Sequence, residues 1–535
     1  MKSKEEGKCE EDVRSSPDTY FTCRYCNGED HEEYEKAPLE VLHPLHPKHT
    51  LHLVSSCDYI ASGSRDCYCC NEEIADTFYY CFPCDCAMNI ACVEKPPVLS
   101  IDIPKWHEHT LTLFPRHNSL TCNACALADS SSPVYMCTLC DLVLHLRCIA
   151  SLPSVIKISR HHHRLYSTLT FERGEWFCSV CRGKIDTYYG GYFCTKNGCS
   201  YAAHSKCATQ SNIWDGIELE GVPEEIEEEL EPFVRIRDGI IQHFSHQHHH
   251  MKLDDNTERD YDENRECQAC IMPIYSGNLY SCMQCEFILH EECANLSRKI
   301  HHPIHPHPLA LVGVYEGVMN VGEPCSACNW MCTTGFFYEC RVEECCFKIN
   351  VQCAMISEPF VHENHIHPLF LTSKPGEWRK CSECNLKRQE ETFNCLECDF
   401  SLCFRCATLP YSVKYKHDKH MLTQSYGKET STMAHWCEAC EQKITPEQGF
   451  YKCDESCCVT LHIGCLIGWD LYMRIGSSWL YETSKVDVLR NSYSMSRHIC
   501  YCCRRRCPYK IALQCKGAVF CNMECMFRAI PVFFA

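Results

Sequence analysis

Sulfur and imidazole are the chemistry this sequence offers. The chain carries 52 Cys and 31 His among its 535 residues. Many of the cysteines fall into Cys-x-x-Cys pairs, a turn that presents two sulfurs on one knuckle. Pairs beginning at Cys67, Cys122 and Cys178 lie 55 and 56 residues apart, and those beginning at Cys267, Cys325, Cys381 and Cys437 are separated by 58, 56 and 56. Only the step from Cys178 to Cys267 is longer, at 89 residues. Its surplus holds the acidic stretch Gly216 to Glu231, read as a solvated linker or a short acidic helix. A fixed period of this kind marks a tandem repeat.

Each repeat has one grammar. Two His come first, then a Cys pair, then a second Cys pair. Five residues later stands a ligand position, followed after three more by Cys. The second unit shows it in full with His107, His109, Cys122, Cys125, Cys137, Cys140, His145 and Cys148. The third has His161, His163, Cys178, Cys181, Cys194, Cys199, His204 and Cys207, and the fourth His246, His249, Cys267, Cys270, Cys282, Cys285, His290 and Cys293. The sixth reads His365, His367, Cys381, Cys384, Cys395, Cys398, Cys403 and Cys406, with Cys403 replacing His. The seventh reads His417, His420, Cys437, Cys440, Cys453, Cys457, His462 and Cys465. The first and fifth are irregular. One offers His46, His49, Cys67, Cys70, Cys81, Cys84 and Cys92 around Asn89; the other offers His305, His307, Cys325, Cys328, Cys340, Cys345 and Cys353 around Asn350. Asn is not a normal zinc ligand. Cys86 and Cys346 are the nearby thiols read as able to compensate.

Eight ligands make two tetrahedral zinc sites per unit. No apolar run approaches a membrane span. The first residues carry no hydrophobic segment of a signal peptide. The expectation is therefore a reducing compartment, cytoplasm or nucleus, where thiolates meet zinc instead of forming disulfides. The formal charge of −19 disfavours general nucleic-acid binding, whose affinity comes from clustered Lys and Arg. An aromatic stands two residues before the second Cys pair in every unit: Tyr79, Tyr135, Tyr192, Tyr280, Tyr338, Phe393 and Tyr451. Because Phe393 lacks the hydroxyl, the shared property is ring burial. Alternating apolar residues before the ligand position, such as Leu142 and Leu144, predict a strand entering a short helix.

The phrases His302-Pro-Ile-His305-Pro-His307-Pro-Leu309 and Cys285-Glu-Phe-Ile-Leu-His290-Glu-Glu-Cys293-Ala294 resemble the plant divergent C-one (DC-one) domains. That resemblance covers roughly residues 40–470. It implies a cross-brace, in which the first Cys pair joins the later His-x-x-Cys and the second Cys pair joins the upstream His pair. It implies small α+β zinc-stabilised modules in tandem, seven C-one-like fingers plus a C-terminal zinc knuckle. The units span 41–95, 104–152, 158–210, 243–297, 300–356, 361–409 and 415–467, with 211–242 as acidic linker and 468–535 as the C-terminal region. There, Cys500, Cys503, Cys521 and Cys525 are similar to an FCS-like finger. Residues 1–40 hold a decayed half-unit, Cys23, Cys26 and His31, with Tyr34 where Cys belongs. Plant homeodomain fingers share part of this order but close on a downstream Cys pair; closing upstream fits all seven units.

The family resemblance implies structural zinc and a protein-interaction scaffold in intracellular signalling, with no catalytic residue and no identified partner. Two other functions compete with this expectation. Recognition of a lipid second messenger such as diacylglycerol needs an exposed apolar rim, whereas the loops at Ala128–Pro133 and Gln442–Glu447 are largely polar. Disulfide reduction is suggested by Trp436-Cys437-Glu-Ala-Cys440, but that chemistry needs the pair at a helix start within a βαβ fold.

Overall fold

The computed structural model describes residues 37–55, 66–70, 72–95, 98–114, 120–128, 132–224, 230–255, 265–274, 277–313, 323–332, 334–363, 365–372, 379–385, 387–388, 391–425, 435–445, 449–455, 457–468, 471–481, 484–491 and 497–533. Cys23, Cys26, His31 and Tyr34 lie outside them, as do Glu225 to Glu229 of the acidic stretch.

Each repeat is a small antiparallel meander closed by one short helix. In the second unit the strands are Ser100–Ile101, Leu111–Phe114, Val134–Met136 and Val143–His145, hydrogen-bonded in sequence order, and the helix is Leu146–Ser151. The expected passage from strand into helix at the ligand position is therefore present. It recurs at Ser205–Ala208, Glu291–Ala294, Val351–Met355, Phe404–Ala407 and Ile463–Leu466. The modules are β-rich, with little helix.

The predicted aromatic row is the middle of each sheet. Tyr135 pairs with Leu113 on one side and Leu144 on the other; Tyr338 sits between Leu311 and Ile349, and Phe393 between Leu371 and Leu402. All seven rings are buried. Five of the tyrosines also use their hydroxyls. Tyr79 donates to the Pro38 carbonyl at 2.7 Å, Tyr135 to Val98 at 2.6 Å and Tyr192 to Pro153 at 2.7 Å. Tyr338 donates to Ser297 at 2.8 Å and Tyr451 to Pro410 at 2.5 Å. A buried hydroxyl needs a partner, and here each one ties the central strand to the chain entering its unit.

The stretch read as an acidic linker divides in two. Glu218 folds back on the third unit, accepting from the Ser154 and Val155 amides at 2.7 and 3.0 Å, and Glu220 pairs with Lys105. No helix forms between Gly216 and Pro223. From Phe233 the chain forms a hairpin, Phe233–Arg237 against Ile240–His243, which gives the fourth unit a five-stranded sheet. The C-terminal region is a further four-stranded sheet, Ser478–Tyr481, Ser484–Arg490, Ile511–Cys515 and Ala518–Phe520, followed by the helix Met523–Phe533.

The modules also grip one another. Units four to six share a single apolar core that takes in Leu471 and Tyr472 from beyond the seventh unit. The side chain of Arg160 in the third unit is 2% exposed. It donates to the Pro303 carbonyl at 3.1 Å, to the Leu371 carbonyl at 2.9 Å, and to Glu391 at 3.2 Å. One guanidinium thus joins units three, five and six. Lys510 meets Glu266 at 2.8 Å and Tyr472 donates to Gln352 at 2.6 Å, fastening the C-terminal region to units four and five.

Candidate metal centres

The sequence builds each first knuckle from backbone geometry. The residue after the second Cys has positive φ at Ala126, Arg182, Ile271, Asn329, Asn385, Glu441 and Arg504. Its amide returns to the carbonyl of the first Cys at 2.8 to 3.0 Å, as for Ala126 to Cys122 at 2.9 Å and Arg504 to Cys500 at 3.0 Å. Arg504 shows that Cys500 and Cys503 form the same turn as the repeats. The amide at the ligand position then points at the first sulfur: His145 to Cys122 at 3.4 Å, His290 to Cys267 at 3.4 Å, Cys403 to Cys381 and His462 to Cys437 both at 3.5 Å.

The side chains converge in the expected cross-brace. Cys122, Cys125, His145 and Cys148 form one group and His107, His109, Cys137 and Cys140 another. In the third unit Cys178, Cys181, His204 and Cys207 gather, opposite His161, His163, Cys194 and Cys199. His46, His49, Cys81 and Cys84 gather in the first unit. Among the described residues fifteen groups of three or more potential ligands meet this standard.

A tetrahedral zinc places its sulfur and nitrogen ligands about 3.6 Å apart, and two sulfurs about 3.8 Å apart. The observed separations match: Cys125 to His145 Nδ1 3.5 Å, Cys181 to His204 Nδ1 3.4 Å, Cys270 to His290 Nδ1 3.4 Å and Cys440 to His462 Nδ1 3.3 Å. In the all-thiolate sixth unit, Cys384 and Cys403 lie 3.9 Å apart. The upstream His pairs alternate their nitrogens. The first uses Nε2, as in His161 to Cys199 and His246 to Cys285 at 3.5 Å, His305 to Cys345 at 3.6 Å and His365 to Cys398 at 3.7 Å. The second uses Nδ1, as in His163 to Cys194, His307 to Cys340 and His367 to Cys395, all at 3.6 Å. Buried ring nitrogens on His107 and His249 have no hydrogen-bond partner, which a metal would supply.

Electrostatics favour a thiolate on the first Cys of these groups, while its partners Cys148 and Cys465 are pushed up by their hydrogen bonds to it and by burial. Hydrogen bonds from Cys125 and Cys148 hold Cys122 down at about 3, and those from Cys465 and His462 outweigh burial to bring Cys437 to about 3. Hydrogen bonds from Cys178 and Cys181 push His204 up to about 10. At the C-terminus, Cys503 lies 3.6 Å from Cys521, which also contacts Cys500 and Cys507, and Cys525 hydrogen-bonds with Cys500. Zinc fits these donor sets of soft sulfur and imidazole.

One ligand needs correction. His417 is exposed, with its ring 5.2 Å from Tyr415, and it stays out of the seventh unit's second site. Asp418 takes its place: buried, with Cys457 donating to its Oδ1 at 3.4 Å, while His420 lies 2.9 Å from Cys457 and 3.6 Å from Cys453. The backbone explains the choice. Asp418 N bonds to Tyr415 O exactly where His246 N bonds to His243 O and His305 N to His302 O.

The Asn-containing sites also differ from expectation. Cys346 is exposed, and Cys86 pairs in register with Cys81 of the other site, so neither stands at the first knuckle. Cys67, Cys70 and Cys92 do come together, as do Cys325, Cys328 and Cys353. Cys437 and Cys440 lie in a turn, not on a helix of their own, and face His462 and Cys465 at the start of the helix Ile463–Leu466.

A family model described as C1 domain matches residues 105–149, 159–208, 244–294, 303–354, 363–407 and 415–466. A second, described as C1 domain-like, C-terminal, matches 486–526, the segment read as an FCS-like knuckle. No curated protein and no solved structure matches the chain. The first unit falls outside these matches and yet repeats their geometry.

Proposed function

The chain belongs to the C1-domain family and is a multi-finger zinc-binding protein, and on that premise we propose that it is a scaffold that docks protein partners. One observation carries this reading. In five units a large apolar residue inside the second Cys pair is exposed: Phe82 by 54%, Leu139 by 75%, Met283 by 56%, Val342 by 46% and Leu396 by 50%. A single exposed apolar residue is ordinary on any protein. Five at equivalent tips, beside five zinc sites that hold them rigidly, form a repeated display suited to apolar contacts with a partner. Zinc has a structural role in this proposal and no turnover is assigned. The thiol-rich composition fits a reducing compartment, cytoplasm or nucleus, and membership of the C1 family supports extending the proposal to intracellular signalling.

The same tips favour a second reading, because they also supply the apolar rim that a lipid-binding module needs. The net charge of −19 weighs against anionic membranes. The test is the full chain with Phe82, Leu139, Met283, Val342 and Leu396 all changed to Ser. Cross-linked partner proteins should be lost while the bound zinc count is unchanged. Identical partners from variant and parent would overturn the scaffold reading. Sedimentation of the parent, but not the variant, with diacylglycerol vesicles would replace it with the lipid one.

A further inference from the structure

Five of the seven first sites have four conventional ligands; those of units one and five have three Cys and an Asn. The carboxamides there are occupied elsewhere. Asn350 accepts the Cys353 amide on its Oδ1 at 2.9 Å, capping the helix Val351–Met355, and donates from Nδ2 to Cys328 at 3.3 Å. The His residues at this position in other units make no such cap. Asn89 accepts from Ala75 N on its Oδ1 at 3.1 Å, and its Nδ2 donates to the Glu73 carbonyl at 3.3 Å with Cys70 Sγ 4.0 Å away. Each side-chain oxygen is thus already engaged by a backbone amide.

A different thiol is close by in each case. Cys69, inside the first Cys pair, lies close enough to Cys92, Cys67 and Cys70 to interact with all three. Cys332, four residues past Cys328, hydrogen-bonds with Asn350 and lies within reach of Cys325 and Cys328; its Sγ also donates to Trp330 O at 3.4 Å. The sequence supplies an internal control. The pairs at Cys122, Cys178, Cys267, Cys381 and Cys437, whose sites keep a His or Cys, have no further Cys within the pair or the following eight residues. Among the seven repeats an extra thiol at the first knuckle occurs only where the ligand is missing, while the C-terminal pair Cys500 and Cys503 also encloses one, Cys502.

We infer that Cys69 and Cys332 are the fourth zinc ligands of the first sites in units one and five, replacing the imidazoles that Asn89 and Asn350 do not provide. This rests on the zinc-binding reading of the C1 family. Each site becomes an all-thiolate tetrad, as in unit six, and binding releases the thiol proton to solvent. Asn350 then acts beside the metal, its N–H stabilising the Cys328 thiolate.

The test counts zinc on the full chain by native mass spectrometry against a graded chelator. Cys69→Ser and Cys332→Ser should each lose one ion at a chelator concentration that leaves the parent and Cys346→Ser fully loaded, and the double variant should lose two. Asn89→His with Cys69→Ser, and Asn350→His with Cys332→Ser, should recover them. Zinc retention equal to the parent in both single variants overturns the assignment. Should a variant lose many ions by unfolding, alkylation of the zinc-loaded parent decides. Cys69 and Cys332 reacting as fast as Cys346 overturns the proposal, and protection released by chelator supports it. A parent that binds no zinc would instead defeat the family reading on which this rests.

Discussion

Cys457 donates to Asp418 Oδ1 at 3.4 Å, which places a carboxylate in a ligand group that elsewhere uses imidazole. The other carboxylate oxygen, Oδ2, is buried without a hydrogen-bond partner, a cost that a cation would offset. Asp418→Ala should therefore weaken the seventh unit's second zinc by a factor of about 100 or more, beyond the range seen when only outer-shell partners are removed. His417→Ala should leave the zinc in place, and Asp418→His should hold it more tightly. Competition with a chromophoric chelator measures all three. The carboxyl is held below its usual range, first by the hydrogen bond from the His420 amide. Its stabilising contribution is thus complete above pH ~4, the unfolded value, and fades as pH falls through the lower folded value.

The same position shows where sequence reading stops. The repeat contains His pairs separated by one residue, as at His107 and His109, and by two, as at His46 and His49. His417-Asp418-Lys419-His420 satisfies both spacings, and only the turn from Tyr415 decides between them. Sulfur positions were legible because a knuckle has one geometry, and the buried aromatics because each recurs at a fixed offset. Contacts between modules were not, since Arg160 and Glu391 stand 231 residues apart with no periodicity to relate them. Leu139 and its equivalents were missed for a similar reason: one apolar residue within a Cys pair carries no pattern of its own.

Arg160 makes the packing of modules testable. Its side chain is almost fully buried, so truncation leaves Glu391 with only Asn212 as a donor and removes the donor from the Pro303 and Leu371 carbonyls. Removing one partner of a buried pair costs about 3 to 5 kcal/mol. Arg160→Ala should separate unit three from units five and six, seen as a larger radius in X-ray scattering and faster proteolysis near Ser159. Zinc content should not change, because no ligand is touched. Arg160→Lys should rescue little, since one ammonium cannot reach all three acceptors.

The tyrosine ties predict a graded effect. Tyr135→Phe removes the bond to Val98 O and keeps the ring between Leu113 and Leu144. The cost should be about 1 kcal/mol, or roughly a fivefold rise in hydrogen exchange across Val98 to Cys148. Phe393 already lacks the hydroxyl, so Phe393→Leu should act through packing alone and disturb the shared core of units four to six.

His302 gives the pH dependence. Burial lowers it to about 4, against ~6.5 for an exposed imidazole. The unfolded chain therefore takes up the proton first as pH falls, and stability drops between pH 6.5 and 4. Between pH 7 and 5 the loss should be about 2 kcal/mol in unit five. Hydrogen exchange of Lys299–Met355 in excess zinc reads it directly. His302→Phe keeps a ring near Phe404, 6.2 Å away, and should flatten this part of the profile.

Metal removal tests the foundation of the fold. Among the described residues, the buried cluster of the second unit consists of Leu111, Ala124, Tyr135, Leu142 and Leu144 besides its cysteines, with a few half-buried residues such as Leu113 and Leu146 against it, a small core for some fifty residues. Structural zinc contributes on the order of 10 kcal/mol per site, so binding and folding should be a single event. Under reducing conditions a strong chelator should abolish the β-sheet signal and expose the thiols, and zinc alone should restore both. Among the described residues every cysteine is a free thiol, so no disulfide is available to take over. A chain that kept its sheets after losing all metal would show that the apolar rows around Tyr135 and its counterparts suffice on their own.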